Sequence, residues 1–186
     1  MDVHDLGCDF YTGSAHKWLL GPKEAGVLYV RRERIADLWP SIVGAGWPVA
    51  NDHDARKLET FGQRDDAAVA AVANAVDFHL AIGKAAVESR IQRLATTLKE
   101  QLREIPGVKL RSPMAAELSG GVVVFTIAGV DLQAAYQRLY TKYQIGCAMM
   151  GGRFRGIRLC PHIYNPMNEI HRAVAAVAEL AKNGTG

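Results

Sequence analysis

The sequence predicts an α/β chain, and three observations carry that reading. Two short apolar strands, residues 8–12 and 26–31, stand close together near the start and are bounded by glycines. Two long helical runs, residues 66–82 and 84–105, follow with no strand between them. From Val108 onward strands alternate with helices and the chain closes on an amphipathic helix, the pattern of a small α+β open-faced sandwich.

Composition narrows the function classes. A chain of 186 residues can bury one domain with a real core, or two small ones. Hydrophobic residues at 49% and charged residues at 22% are an ordinary globular balance. A net charge of +3 is too slight to argue for a nucleic-acid partner. No apolar run is long enough to span a membrane. The opening MDVHDLGCDF lacks the basic-then-apolar pattern of a signal peptide. Cys8, Cys147 and Cys160 are odd in number and show no C-x-x-C spacing, which fits a reducing cytoplasm and gives no metal signature.

The stretch Cys8-Asp9-Phe10-Tyr11-Thr12-Gly13-Ser14-Ala15-His16-Lys17-Trp18 organises the first part of the chain. The strand turns at Gly13 and presents Ser14, His16 and Lys17 together, before Gly21-Pro22 stops the run and GVLYVR begins the second strand. A lysine between two apolar strands is expected to be buried, and burial pushes an amine toward its neutral, nucleophilic form. Such an amine condenses with an aldehyde or ketone, and Ser14 and His16 could donate to an anion beside it. A reading from another class is open at the same residues. Ser14-Ala15-His16-Lys17 satisfies S-x-x-K, in which a lysine activates a serine nucleophile. That motif normally opens a helix, whereas here it follows a strand, and no companion S-D-N or K-T-G is present.

The run GCDFYTGSAHKWLLGPKEAGVLYVRR resembles the lysine segment of the class V aminotransferases, fold-type I pyridoxal-phosphate enzymes that include cysteine desulfurases and isopenicillin-N-epimerase-like proteins. The resemblance implies pyridoxal 5'-phosphate as cofactor, with Lys17 as the aldimine lysine and Ser14 and His16 as ligands of the cofactor phosphate. It also covers only about the second half of the family's sequence. The expected chain is therefore a fragment, a short gene product or one piece of a split protein, with an incomplete cofactor site.

The following elements take their places on that frame. Residues 31–39 read as a short helix or turn, and residues 41–53, rich in Gly, Pro and Asn and containing Trp47, as a loop. In Leu58-Glu59-Thr60-Phe61-Gly62-Gln63-Arg64-Asp65 the family places a threonine that reaches the phosphate of the neighbouring subunit's cofactor. Gln63 stands there instead, and its amide can still donate. Asp65 or Asp66 is the expected N-cap of the first long helix. In that helix Val69, Val72, Val76 and Leu80 form an apolar stripe, and His79 is expected to pack in the core. The second helix carries Val87, Ile91, Leu94, Leu98, Leu102 and Ile105 on one face, with Arg90, Arg93, Lys99, Glu100 and Arg103 outside, and ends at Pro106-Gly107. The tail reads as strands at 108–111, 121–127, 144–149 and 156–160, a helix from its Asp131 cap to about Lys142, and a final helix over 168–182.

Two features of the tail bear on chemistry. GIRLCPHIYN, residues 156–165, resembles the family's IR-x-S-P-H-x-Y-N signature, in which the arginine holds the substrate's α-carboxylate; Arg158 matches it. A guanidinium offers parallel donors to a carboxylate, while a surface ion pair is the plain alternative. His162 and Asn165 are expected to hold the turn before the last helix. The run IGCAMMGG around Cys147 lacks the mobile Arg-x-Gly-x-x-Cys loop of cysteine desulfurases, so a structural thiol is expected and persulfide chemistry is disfavoured.

The resulting expectation has three parts: a remnant of the large cofactor domain over residues 1–83, a linking helix over 84–106, and a small C-terminal α+β domain over 107–186. The function expected by resemblance is transaminase- or epimerase-like, a transferase or isomerase acting on an amino acid, with Lys17 as general base. The alternatives are a serine hydrolase using Ser14 and Lys17, or a folded piece without catalysis. The strands near Lys17 would keep an open edge and an uncovered apolar face, so a homodimer, or a partner supplying the missing half, is expected.

Overall fold

The computed structural model describes residues 2–44, 47 and 54–184. The expected loop at 41–53 lies largely outside the described residues, although Trp47 within it packs on Trp39 with ring centroids 4.8 Å apart. The chain divides into two compact units, Met1–Ala81 and Ile82–Gly186.

The first unit opens with α1 (Val3–Leu6), capped by the Asp2 carboxylate, which accepts from the His4 N–H at 2.9 Å. Strands β1 (Phe10–Ser14) and β2 (Gly26–Val30) pair antiparallel, with Phe10 opposite Val30 and Ser14 opposite Gly26. The first strand therefore starts two residues later than its composition suggests. Asp9 stays outside the ladder, and its carboxylate pairs instead with Arg31 at 3.4 Å and Arg34 at 3.5 Å. Apolar side chains stay exposed on both faces of the hairpin: Phe10 and Leu28 on the face they share with buried Val30, and Val27 on the other.

Helix α2 (Asp66–Ile82) begins where expected, and the Asp65 carboxylate accepts from the Ala68 N–H at 2.9 Å. Its orientation is not the expected one. Ala75 is buried and Ala68, Ala71, Val72 and His79 are half-buried, while Val69, Val76 and Leu80 are exposed, Leu80 by 71%. Ala71, Asn74, Ala75 and Phe78 line a depression with Leu20, Gly21 and Pro22. Backbone that comes this close to a helix favours its alanine face, so the bulkier valine and leucine stripe is left to solvent. His79 is half-buried, edge-on to the Phe78 ring at 5.9 Å.

The second unit is a four-stranded antiparallel sheet in the order β3-β4-β6-β5, with β3 (Val108–Leu110), β4 (Val123–Ile127), β5 (Ala148–Met150) and β6 (Gly156–Leu159). Helices α3 (Lys84–Arg103), α4 (Leu132–Thr141) and α5 (Met167–Asn183) pack on one face of it. The expected linking helix is thus part of this unit's core, with Leu94, Leu98 and Leu102 against Phe125, Ile157 and Val177. Asp131 caps α4 as expected, its carboxylate accepting from the Ala134 N–H at 2.8 Å. The fifth strand is shorter than expected because Gln144 takes a positive φ of 54°, and the ladder begins only at Ala148. A Cβ on Gly156 would stand 2.6 Å from the Phe125 carbonyl oxygen, so glycine is what lets β6 lie this close to β4.

One residue reverses its expected position. Lys99 was expected on the outer face of α3 and is 1% exposed. Its ammonium donates to the carbonyls of Pro113 and Met114 at 3.1 and 3.0 Å and to the Ser119 hydroxyl at 2.7 Å. All of its donors are used, so the 113–119 loop folds back over a residue that the helical pattern would leave in water. Burial pushes the Lys99 amine below the usual lysine range, against a small opposing pull from Glu100. Replacing Lys99 by Met keeps the volume and removes the donors. The expected cost is about 1–3 kcal/mol, seen as a fall in Tm by circular dichroism. A Tm equal to that of the unmodified protein would show that water satisfies the loop without Lys99.

Candidate cofactor and substrate residues

The turn that carries Lys17 is closed at its base by main-chain hydrogen bonds. Ala15 is 1% exposed. Its N–H donates to the Ala25 carbonyl at 2.9 Å, and its carbonyl accepts from the Gly21 N–H at 2.8 Å. Within the loop the Leu20 N–H donates to the Lys17 carbonyl at 3.0 Å, and Leu20 takes a left-handed φ of 61°. That conformation is uncommon for a branched residue and marks a constrained turn. A Cβ on Gly21 would meet both the Ala15 Cβ and the Ala15 carbonyl oxygen at 3.0 Å, so the two ends can touch only with glycine there.

The pinch points three polar side chains outward. Ser14, His16 and Lys17 are all exposed, and none makes a hydrogen bond or ion pair with the described residues. The expected burial of Lys17 is not found. The serine-nucleophile arrangement is not assembled either. Ser14 ends a strand and does not open a helix, and no hydrogen bond joins it to Lys17. Gln63 lies in the bend after Gly62, whose φ is 85°, and its exposed amide is uncommitted, while neighbouring Arg64 is held by Asp66 at 3.1 Å and Glu59 at 3.7 Å.

In the second unit Arg158 sits on β6, opposite Val124 of β4 and Ala148 of β5. Ile157 and Leu159 on either side of it point into the core, so Arg158 points to the face that carries no helix of this unit. The side chain is half-buried. Its Nε is buried without a hydrogen-bond partner among the described residues, and its Nη1 lies 3.6 Å from the Met150 thioether. No carboxylate among the described residues pairs with it. Met150 was not singled out in the sequence. The period-two alternation could have found it, since Met150 pairs with Gly156, two residues from Arg158 on the same face.

The turn after β6 is locked as expected. The Asn165 side-chain oxygen accepts from the His162 N–H at 2.7 Å, its amide donates to Glu169 at 2.7 Å, and Arg90 donates to its carbonyl at 2.7 Å. The His162 ring stacks on Tyr164 at 4.9 Å. Cys147 is half-buried, with its thiol 3.9 Å from the Tyr136 carbonyl, and burial pushes that thiol up, away from the reactive thiolate.

The chemistry-bearing parts of the chain are thus an exposed lysine on a pinched turn after a hairpin strand, and an arginine on the helix-free face of a small open-faced sandwich. The aminotransferase class-V family model matches residues 1–172, and the chain belongs to that family. It is 31% identical to isopenicillin N epimerase of Streptomyces clavuligerus, over 97% of this chain and 49% of that protein. It is 32% identical to probable cysteine desulfurase 2 of Mycobacterium leprae, over 95% of this chain and 46% of that protein. Among solved structures, the cysteine desulfurase CsdA of Escherichia coli superposes with a TM-score of 0.81 at 26% identity, covering 97% of this chain and 48% of that one. A mutant of C-DES with glycine covalently linked to its PLP cofactor superposes with a TM-score of 0.80 at 23% identity, over 96% of this chain and 48% of that one, a likeness of fold. The chain thus spans about half the length of the curated relatives it matches. Family membership implies pyridoxal phosphate as cofactor, and the donor set fits it: an amine, a hydroxyl and an imidazole stand free on one turn.

Proposed function

We propose that this chain supplies the lysine, phosphate-binding and carboxylate-binding residues of a pyridoxal-phosphate enzyme that works at the Cα of an amino acid. When bound, the cofactor supplies an electron sink that makes the Cα proton removable. Ser14 Oγ and the His16 ring donate hydrogen bonds to its phosphate, and the Gln63 amide adds a further donor, from a neighbouring subunit. Lys17 Nζ would take the Cα proton, the step common to epimerases and transaminases. Arg158 would hold the α-carboxylate through parallel N–H donors.

The observation that supports this reading best is the state of Arg158. A half-buried guanidinium with an orphaned Nε costs free energy unless an anion arrives to use it. Cys147 argues for Cα proton chemistry over persulfide chemistry, because its thiol is packed at the core edge and shifted away from ionisation. We also propose that the exposed Phe10, Val27 and Leu28 side chains and the Val69–Leu80 side of α2 are covered by a second copy of the chain.

Two variants test the chemistry in one experiment. Protein given pyridoxal phosphate should develop a visible absorption band that Lys17→Ala abolishes. Arg158→Lys should retain the band while weakening amino-acid binding by about 1.5–3 kcal/mol, since an ammonium cannot form the bidentate pair. A band that survives Lys17→Ala, or amino-acid affinity untouched by Arg158→Lys, would remove that residue from the site. Association is read separately by light scattering at low micromolar concentration. A dimer mass is expected; a monomer that unfolds cooperatively would contradict it.

A further inference from the structure

The four strands of the second unit's sheet and the Gly152–Phe154 turn carry Lys109, Arg153 and Arg158 and no Asp or Glu, with Arg111 and Arg155 at their edges. The chain as a whole is near charge balance, with 22 basic and 19 acidic residues, so this segregation is local. Strand alternation sorts the charges by face. Val108 and Leu110 point to the core side, which places Lys109 on the helix-free face with Arg158. Arg111 continues that phase just past β3. Its backbone N–H donates to the Val124 carbonyl at 2.8 Å, and Val124 is the register partner of Arg158. Arg111 and Arg158 therefore flank the same residue of β4, with backbones two strand spacings, about 10 Å, apart.

The side chain of Arg111 crosses toward β6, where its Nη2 donates to the Arg153 carbonyl at 2.9 Å. Arg111 and Arg153, with Leu110 and Phe154, line an open depression of about 410 Å³. The Arg153 guanidinium lies over the Phe154 ring at 4.7 Å, which fixes it without neutralising it. Neither arginine forms an ion pair with a described residue. Like charges gathered in this way repel unless an anion joins them, and a guanidinium is the side chain best shaped to take a carboxylate.

We propose that Arg111 and Arg153 form a second anion subsite, which takes the distal carboxylate of a substrate whose α-carboxylate is held by Arg158. The inference rests on the reading of Arg158 given above and adds a substrate class to it: an elongated amino acid with a second carboxylate, its methylenes lying beside Phe154.

The test uses the full chain and two simple probes of equal carbon length, adipate and hexanoate, titrated by NMR or calorimetry. Adipate should bind at least about tenfold more tightly than hexanoate, a difference of about 1.4 kcal/mol. Arg153→Gln should bring adipate down to the hexanoate value and leave hexanoate unchanged. Arg111→Gln should do the same, and because Arg111 also holds a main-chain carbonyl, Arg153→Gln decides where that variant proves less stable. Arg158→Gln should weaken both probes. Equal binding of the two probes, or an adipate advantage that survives Arg153→Gln, overturns the second subsite while the sensitivity of hexanoate to Arg158→Gln still upholds the first. Hexanoate binding that ignores Arg158→Gln overturns the Arg158 reading and the two-carboxylate substrate with it.

Discussion

The contact of Ala15 with Gly21 is the constraint on which the candidate site depends. Ala15 has both main-chain groups committed, its N–H to Ala25 across the hairpin and its carbonyl to Gly21 across the loop. The intervening residues can then only arch outward, and His16 and Lys17 occupy the arch. Every part of the arrangement follows from small residues. Alanine fits the buried base, glycine permits a 3.0 Å approach, and Leu20 accepts a left-handed backbone to close the loop. The same closeness brings Gly21 and Pro22 against α2, which explains why that helix turns its alanines inward.

The two units differ in how completely they satisfy themselves. The second has a continuous core running from Leu94 in α3 through Phe125 and Ile157 to Leu180 in α5, and even its buried lysine is fully hydrogen-bonded. The first buries few apolar side chains and leaves Phe10, Val27 and Leu28 of the hairpin and one side of α2 open. Apolar surface of that kind signals missing cover, in keeping with a chain that spans about half the length of its relatives. The functional groups follow the same division. Lys17 is presented but not desolvated, and Arg158 is partly desolvated but not paired. Each is left half-finished by this chain's own packing, as a residue that meets a ligand would be.

Much of this was legible in the sequence, for identifiable reasons. The helix bounded by residues 66 and 82 and the caps at Asp65 and Asp131 were readable because capping is local: a carboxylate finds an N–H two or three residues on. The placing of Arg158 on a strand was readable too, because residues 156–160 form a compact apolar run. What failed was long-range. The burial of Lys99 depends on a loop some 14 residues away folding back over it, and no helical pattern reports that. Which side of α2 faces inward depends on how closely a remote glycine approaches, so the valine stripe misled. The exposure of Lys17 was misjudged because flanking apolar strands imply burial only where something covers them.

The central claim is that the turn closed by Ala15 and Gly21 singles out Lys17 among the exposed lysines. It is tested most directly by peptide mapping in a mass spectrometer, after borohydride reduction of protein incubated with pyridoxal phosphate. The account predicts a pyridoxyl adduct concentrated on Lys17, with exposed lysines such as Lys23 and Lys84 left unmodified. An adduct spread evenly over the exposed lysines would contradict it.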